Sequence, residues 1–327
     1  MTTQSRRHSG GPRASGGNRR PTVALATCEE MPDLAFEAEG PLLTAALDRA
    51  GADARPVVWT DASVDWDEFD AIVIRATWDY VFRLEEFLDW VRKTDRIFNP
   101  PRILEWNTDK HYLSDLERAG VPIVPTQFIS PGDPVELGPE LKDREVVVKP
   151  AVSMGARDTE LFDTSDSEGS DAALAHVKVL NSSGRTAMVQ PYREKVDEIA
   201  ETGLIYLNGE FSHAIRKEQM LRGEASFIAD LWRDQVVTAR SATKEDIEVA
   251  EAAVDAVPGG RHQLLYARID LLPGPDGPEL LELEATEPSL YLEFGEGSPD
   301  LLARAIMDRV EGGDSAHGVN LSAPRAD

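Results

Sequence analysis

Residues Tyr266–Leu290 read YARIDLLPGPDGPELLELEATEPSL. Two short apolar stretches flank a turn of Pro273, Gly274, Pro275, Asp276, Gly277 and Pro278, which predicts an antiparallel hairpin. Side chains alternate faces along a strand, so Glu282 and Glu284 share one side. Pairing Asp270 across the hairpin with Glu282 then sets Arg268 opposite Glu284 on that side. The reverse carries Ile269, Leu271, Leu281 and Leu283. Three carboxylates crowded beside one guanidinium repel one another unless a hard cation sits among them. Mg2+ (or Mn2+), which takes oxygen ligands and bridges phosphates, is the candidate. An amphipathic surface hairpin in an acidic protein is the competing reading of this stretch.

At 327 residues the chain is long enough for two or three packed units. Its 41% apolar content is a globular value, and no apolar run approaches a membrane span. The first twenty residues are basic and Ser/Gly-rich without an apolar centre, which excludes a secretory signal and predicts a disordered tail. An Arg-rich transit peptide is the alternative for that segment. The lone Cys28 rules out an internal disulfide, suits a reducing cytoplasm, and reads as a small buried filler at the end of a strand. The histidines show no metal-ligand spacing. A net charge of −25 argues against a nucleic-acid surface. Only eight of the 34 basic residues are lysine, and this acid-rich, lysine-poor balance is what keeps a protein hydrated in concentrated salt, so a halophilic source is expected.

Strands at 22–28, 54–59 and 71–78, with helices at 40–51 and 84–93, predict a small open α/β domain with a largely parallel sheet. The last strand runs out through Arg75, Trp78, Asp79 and Tyr80. Ligands of open α/β sheets bind beyond the carboxyl ends of strands, so Arg75 is a candidate clamp for a substrate carboxylate. Pairing of Arg75 with a local Asp is the alternative. After a break at 99–104, Asp109 is read as the cap of a helix that stops at Gly120. A strand at 144–150, a loop at 151–158, a strand near 159–162, a linker at 163–171 and a helix at 172–182 follow. A strand at 186–192 is expected to open another unit, with strands at 201–207 and 210–217, a helix near 244–257, the hairpin, and a helix at 299–310.

Lys149 leaves a run of three valines and precedes a loop with Ser153, Gly155 and Asp158. An ammonium beside backbone N–H groups suits a phosphate, although with one glycine the loop matches neither the P-loop nor the dinucleotide fingerprint. Lys110 alone reads as a solvated helix lysine. Order is more telling: Lys110, then Lys149 about forty residues on, then Gln190–Pro191–Tyr192 after about forty more. Glu201, Arg216, Lys217 and the acidic hairpin face complete the series.

This succession resembles the ATP-grasp superfamily over residues 105–310, and the preceding domain resembles the amino-terminal domain of glutathione synthetase and RimK-like ligases. The stretches IRATWDY, EWNTDKHYL, VVKPAVSMGARDT, VQPY, GEFSHAIRK, YARIDL and LELEATEPSL are most similar to the group that includes the D-cycloserine-forming ligase. The resemblance implies an α/β chain: a tail (1–20), an open α/β pre-ATP-grasp domain (21–102), a two-subdomain α+β ATP-grasp fold (103–185 and 186–312), and a second tail (313–327). It implies that ATP lies between two antiparallel sheets. Lys110, Lys149, Ser153 and Gly155 would face its phosphates, the backbone around Gln190 and Tyr192 its adenine, and Glu201 (in second place Asp197) its ribose. Asp270, Glu282 and Glu284 would hold Mg2+, and Arg216 and Arg268 would stabilise charge on the transferred phosphoryl group and an acyl-phosphate intermediate.

Arg75, Trp78, Asp79, Tyr80 and Arg157 are the substrate-side candidates, for a small amino-acid-like molecule. Neither nucleic acid nor membrane is expected as a partner, and a homodimer is an allowed assembly. The implied activity is ATP-dependent carboxylate–amine ligation. A RimK-like ligase extending a protein or peptide terminus, or a non-catalytic ATP-binding regulator, are the alternatives. Three positions depart from the family pattern: Glu284 where Asn is common, with Arg268 to offset the charge; Pro191, which removes a backbone donor and leaves the N–H of Tyr192 to meet adenine; and the glycine-poor loop 151–158.

Overall fold

The computed structural model describes residues 19–34, 39–218, 227–228, 232–233 and 236–316. Most of the two expected tails lies outside these residues. The apolar N-terminal stretches form strands covered on both faces: β1 (Thr22–Thr27), β2 (Asp53–Val58), β3 (Ala71–Ala76) and β4 (Ile97–Phe98). They pair in parallel in the order β2-β1-β3-β4. Alternation divides β1: Val23 and Leu25 pack with Leu43 and Leu47 of α1 (Glu39–Arg49), whereas Ala24 and Ala26 pack toward Phe87 and Val91 of α2 (Leu84–Lys93).

Two short helices follow, α3 (Pro101–Asn107) and α4 (Tyr112–Arg118). Lys110 therefore sits in the turn between them rather than on a helix, and Asp109 binds the His111 backbone N–H (3.0 Å) without capping α4. Next come β5 (Gln127–Ile129), β6 (Glu145–Pro150), β7 (Glu160–Asp163), α5 (Ser167–Ser182) and β8 (Ala187–Pro191). α5 takes in part of the expected linker because Asp166 caps it, accepting from the N–H of Gly169. β8, expected to open the next unit, instead lies between β5 and β6 in the antiparallel sheet β5-β8-β6-β7.

The last unit comprises α6 (Val196–Ile199), β9 (Glu201–Leu207), β10 (Glu210–Lys217), a ribbon of β11 (Phe227–Ile228) and β12 (Trp232–Arg233), then β13 (Val237–Arg240), α7 (Lys244–Asp255), β14 (Tyr266–Pro273), β15 (Pro278–Glu284) and α8 (Ser298–Ala316). Its antiparallel sheet runs β13-β10-β9-β14-β15. The hairpin register is the expected one, with Asp270 opposite Glu282 and Arg268 opposite Glu284. One extra residue in β15 makes a bulge, so that Leu271 faces Leu280. Leu280 takes the buried position expected for Leu281, and Leu281 turns to the same side as Glu282.

Buried amides pin the open end of the hairpin. Asn99 Nδ2 donates to the carbonyls of Tyr266 (2.9 Å) and Ala285 (2.7 Å), whereas Asn107 donates from Nδ2 to the Leu283 carbonyl (2.7 Å) and accepts the Ala285 N–H at Oδ1 (2.6 Å). No helix among the described residues is long and apolar enough to cross a membrane.

Candidate active site

Both antiparallel sheets contribute to a cavity of about 220 Å3, which Trp78 and Tyr80 of the N-terminal domain also line. Alternation along β6 builds one wall: Val146 and Val148 pack on Val177 and Leu180 of α5, which leaves Val147 and Lys149 to face the cavity. Alternation along β14 and β15 builds the other, presenting Arg268, Asp270, Glu282 and Glu284.

Each carboxylate on that wall is engaged by a fixed cation. Arg268 Nε donates to Asp270 at 2.9 and 3.1 Å, Nη2 reaches both Asp270 (3.0 Å) and Glu284, and Nη1 donates to the Ser289 carbonyl at 3.0 Å. Lys217 Nζ bridges Asp270 (3.0 Å) and Glu201. Lys110 Nζ pairs with Glu282 at 2.9 Å and donates to the Ser153 carbonyl at 2.7 Å, tying the loop after β6 to the hairpin.

The protonation pattern follows from these partners. Burial works to raise the Asp270 carboxyl, but Arg268 and Lys217 overcome it and hold the group at about 2. Burial likewise opposes ionisation of Glu282, and Lys110 and Lys149 bring its pKa below the ordinary value. Glu284 is pushed up to about 7 by burial, against the pull of Arg268, with Glu282 and Asp270 adding to the rise. Burial pushes Glu287 up to about 8, with Glu284 adding to it. Burial lowers the Lys149 ammonium, with Glu282 opposing.

Thirteen of the residues singled out from sequence line this one cavity: Trp78, Tyr80, Lys110, Lys149, Ser153, Gly155, Gln190, Tyr192, Glu201, Arg268, Asp270, Glu282 and Glu284. Four do not. Arg216 falls on the opposite face of β10 from Lys217 and pairs with Glu218 at 3.0 Å. Arg75 is buried and committed to Glu39 and to the Pro288 carbonyl (2.6 Å), outside the cavity. Asp79 turns the other way, accepting from Trp59 Nε1 at 2.7 Å. Arg157 lies over the Phe82 ring at 4.7 Å.

Two finer expectations also change. The Tyr192 N–H donates to the Glu145 carbonyl at 2.9 Å, which takes it from any adenine, and Asp197 is bonded by the Tyr192 hydroxyl rather than lining the cavity. The three carboxylates expected to hold a metal share a wall, yet among the described residues no three acidic, imidazole or thiol side chains converge as a metal cage. Sequence reading assigned no role to Lys217, Asn107 or Glu287, all of which line the cavity. Lys217 lies opposite Glu201 only because the register of β9 and β10 shifts at Phe211–His213; the regular pairing set by the turn would have put Arg216 there. Glu287 follows the last strand, where no periodicity applies.

Residues 23–99 match the family described as the D-cycloserine synthetase DcsG N-terminal domain. The cycloserine biosynthesis protein DcsG of Streptomyces lavendulae is 34% identical over 303 residues, covering 88% of this chain and 99% of that one. The chain belongs to the DcsG family of ATP-grasp ligases. The crystal structure of D-cycloserine synthetase DcsG superposes with a TM-score of 0.79 at 32% identity, over 88% of this chain and 99% of the other. The D-alanine–D-alanine ligase of Bacillus anthracis (TM-score 0.60, 13% identity, 91% and 100% covered) shares the fold. So does a RimK domain ATP-grasp protein of Sphaerobacter thermophilus (0.60, 14%, 88% and 99%). This DcsG-family member is thus an ATP-dependent ligase that forms carbon–nitrogen bonds, with a cavity built from the ATP-grasp sheets.

Proposed function

We propose that the ligase joins a carboxylate to an amine of a small amino-acid-like substrate through an acyl phosphate. The substrate carboxylate attacks the γ-phosphorus of ATP, its bond to the β–γ bridging oxygen breaks, and ADP leaves. The amine then attacks the acyl carbon, inorganic phosphate departs, and the nitrogen gives up a proton. This chemistry needs positioning and charge neutralisation more than a protein nucleophile. The observation that carries the reading is the convergence of Lys110, Lys149, Lys217 and Arg268 on one cavity wall-to-wall with three carboxylates. Lys110, by binding both Glu282 and the Ser153 carbonyl, holds the loop and hairpin in one arrangement; Lys149 faces it from β6.

The donor set suits Mg2+, which typically takes one or two carboxylates and completes its shell with phosphate and water oxygens. An open wall of oxygen donors fits that requirement better than a cage. Glu282, Glu284 and Asp270 would hold the ion, whose chemistry there is neutralisation of phosphate charge. The relative's name, D-cycloserine synthetase, supports a cyclic or small amino-acid product rather than a protein terminus.

The test is ATP turnover to ADP and phosphate across panels of amino acids and short peptides, with product masses read out. Amino-acid-dependent turnover with a product lighter by one water supports the reading; turnover with protein or peptide acceptors alone overturns it. Glu282→Gln should lower turnover at least about 100-fold, the scale of a lost electrostatic contact to the transition state, while leaving the melting temperature near that of the parent.

A further inference from the structure

The end of the cavity beyond Glu284 carries a group that the chemistry above leaves unused. Glu287 lies in the loop after β15 and is only 9% exposed. Its backbone carbonyl accepts from Trp78 Nε1 at 3.4 Å, and the Tyr80 hydroxyl is near enough to its carboxyl to favour the ionised form. The second carboxyl oxygen, Oε2, is buried without a hydrogen-bond partner. Asp270, Glu282 and Glu284 each have a lysine or arginine in contact; among the described residues Glu287 has none. A buried polar oxygen left unpaired is costly, and one kept at a cavity wall marks where a donor is to be received. Trp78, Tyr80, Ser289 and Tyr291 line the cavity as well, so the carboxyl is set among aromatic side chains, an environment that suits a compact ammonium.

Toward the turn of the hairpin the cavity is lined by Leu272, Leu281 and the segment 191–193, which Arg193 joins to Glu279, and Lys110 meets the hairpin between, at Glu282. Glu287 is therefore separated from the apolar end by the groups assigned to phosphate. We propose that Glu287, supported by Tyr80 and Trp78, binds the ammonium group of the substrate, so that the site selects amino acids over otherwise identical carboxylates. This rests on the amino-acid ligase reading given above.

The experiment uses the full chain with Mg2+ and ATP, and compares D-alanine, L-alanine, D-serine and L-serine with their deaminated counterparts, propionate and 3-hydroxypropionate. The parent enzyme should show a higher kcat/KM for an amino acid than for its deaminated partner. In Glu287→Gln that preference should fall roughly 10- to 100-fold, the range of a lost hydrogen bond to a charged group, mostly through KM. Tyr80→Phe, which keeps the ring, should move the preference in the same direction by less, and serves if Glu287→Gln does not fold. Binding of Mg·ATP with the parent affinity identifies a folded variant. An undiminished preference in folded Glu287→Gln overturns the ammonium assignment while leaving the ligase reading intact. Absence of turnover with every amino acid by the parent enzyme overturns both.

Discussion

Replacing Arg75 by Met leaves the Glu39 carboxylate buried without its cation. Arg75 is 4% exposed; it donates to Glu39 from Nε at 3.1 Å and again from Nη2, to the Ile74 carbonyl at 3.2 Å and to the Pro288 carbonyl at 2.6 Å. Glu39 in turn accepts the backbone N–H groups of Leu290 (2.6 Å) and Tyr291 (3.1 Å), so the pair ties α1 and β3 to the loop that follows β15. Removing one partner of a buried pair costs about 3–5 kcal/mol. With an unfolding entropy of about 2.1 cal/mol/K per residue over 327 residues, the melting temperature should drop by about 4–7 °C. Glu39→Gln should be similarly destabilised, since it strands the guanidinium. In the Arg75→Met/Glu39→Gln double variant no charge is left unpaired, and the carboxamide oxygen can still accept from Leu290 and Tyr291. The double loss should therefore fall well short of the sum of the singles. Thermal melts of all four proteins, with KM for the carboxylate substrate alongside, decide the matter. A parental melting temperature in Arg75→Met together with a KM raised tenfold or more would refute the structural role and return Arg75 to the substrate.

The strand parity of β10 predicts that Lys217→Met lowers ATP turnover about 100-fold or more, whereas Arg216→Met stays within a few-fold of the parent; steady-state kinetics of the two variants check it. Without substrate, burial holds the Glu287 carboxyl up at about 8, above the value of an unfolded glutamate; a bound ammonium would draw it down. A carboxyl raised in this way contributes stability fully below the unfolded value, and that contribution is lost as pH rises through the folded one. Melts at about pH 5 and pH 8.5 should accordingly show Glu287→Gln gaining on the parent as pH rises; parallel curves would contradict the assignment. With 59 acidic against 34 basic residues, the melting temperature should rise from dilute buffer to molar KCl as self-repulsion is screened. Equal stability throughout would count against a halophilic surface.

What was legible in the sequence was whatever depends on neighbours along a strand. The pairs Arg268–Glu284 and Asp270–Glu282 follow from a turn and a period of two, and the structure reproduces them. The bulge was not legible, because Leu280 and Leu281 are identical in type and either can fill the core position. Arg75 could not be placed, since its partner Glu39 lies 36 residues away and the loop it also binds lies more than 200 away. Choosing between Arg216 and Lys217 required the register of β10, which itself contains an irregularity at Phe211–His213. The Tyr192 N–H looked available only while β8 was assigned to the wrong sheet; once β8 lies beside β6, the Glu145 carbonyl claims that donor.

The bulge has a consequence for how the site reads along the chain. By turning Leu281 to the side of Glu282, it places an apolar side chain and a charged one next to each other on the same wall. Leu281 and Leu272 then line the cavity together with the segment 191–193, which Arg193 fastens to the hairpin through a two-pronged pair with Glu279 at 2.7 and 2.9 Å. Glu282 and Glu284 follow, opposite Lys110 and Lys149, and Glu287 comes last, against the N-terminal domain. On the proposed reading, base, phosphates and amino-acid substrate lie in that order over seven residues of one segment. A regular strand would have put Leu281 in the core and Leu280 on the wall in its place, two positions from Glu282 rather than next to it. The irregularity thus selects which leucine shares the wall with the acidic side chains, setting the apolar contact directly beside Glu282.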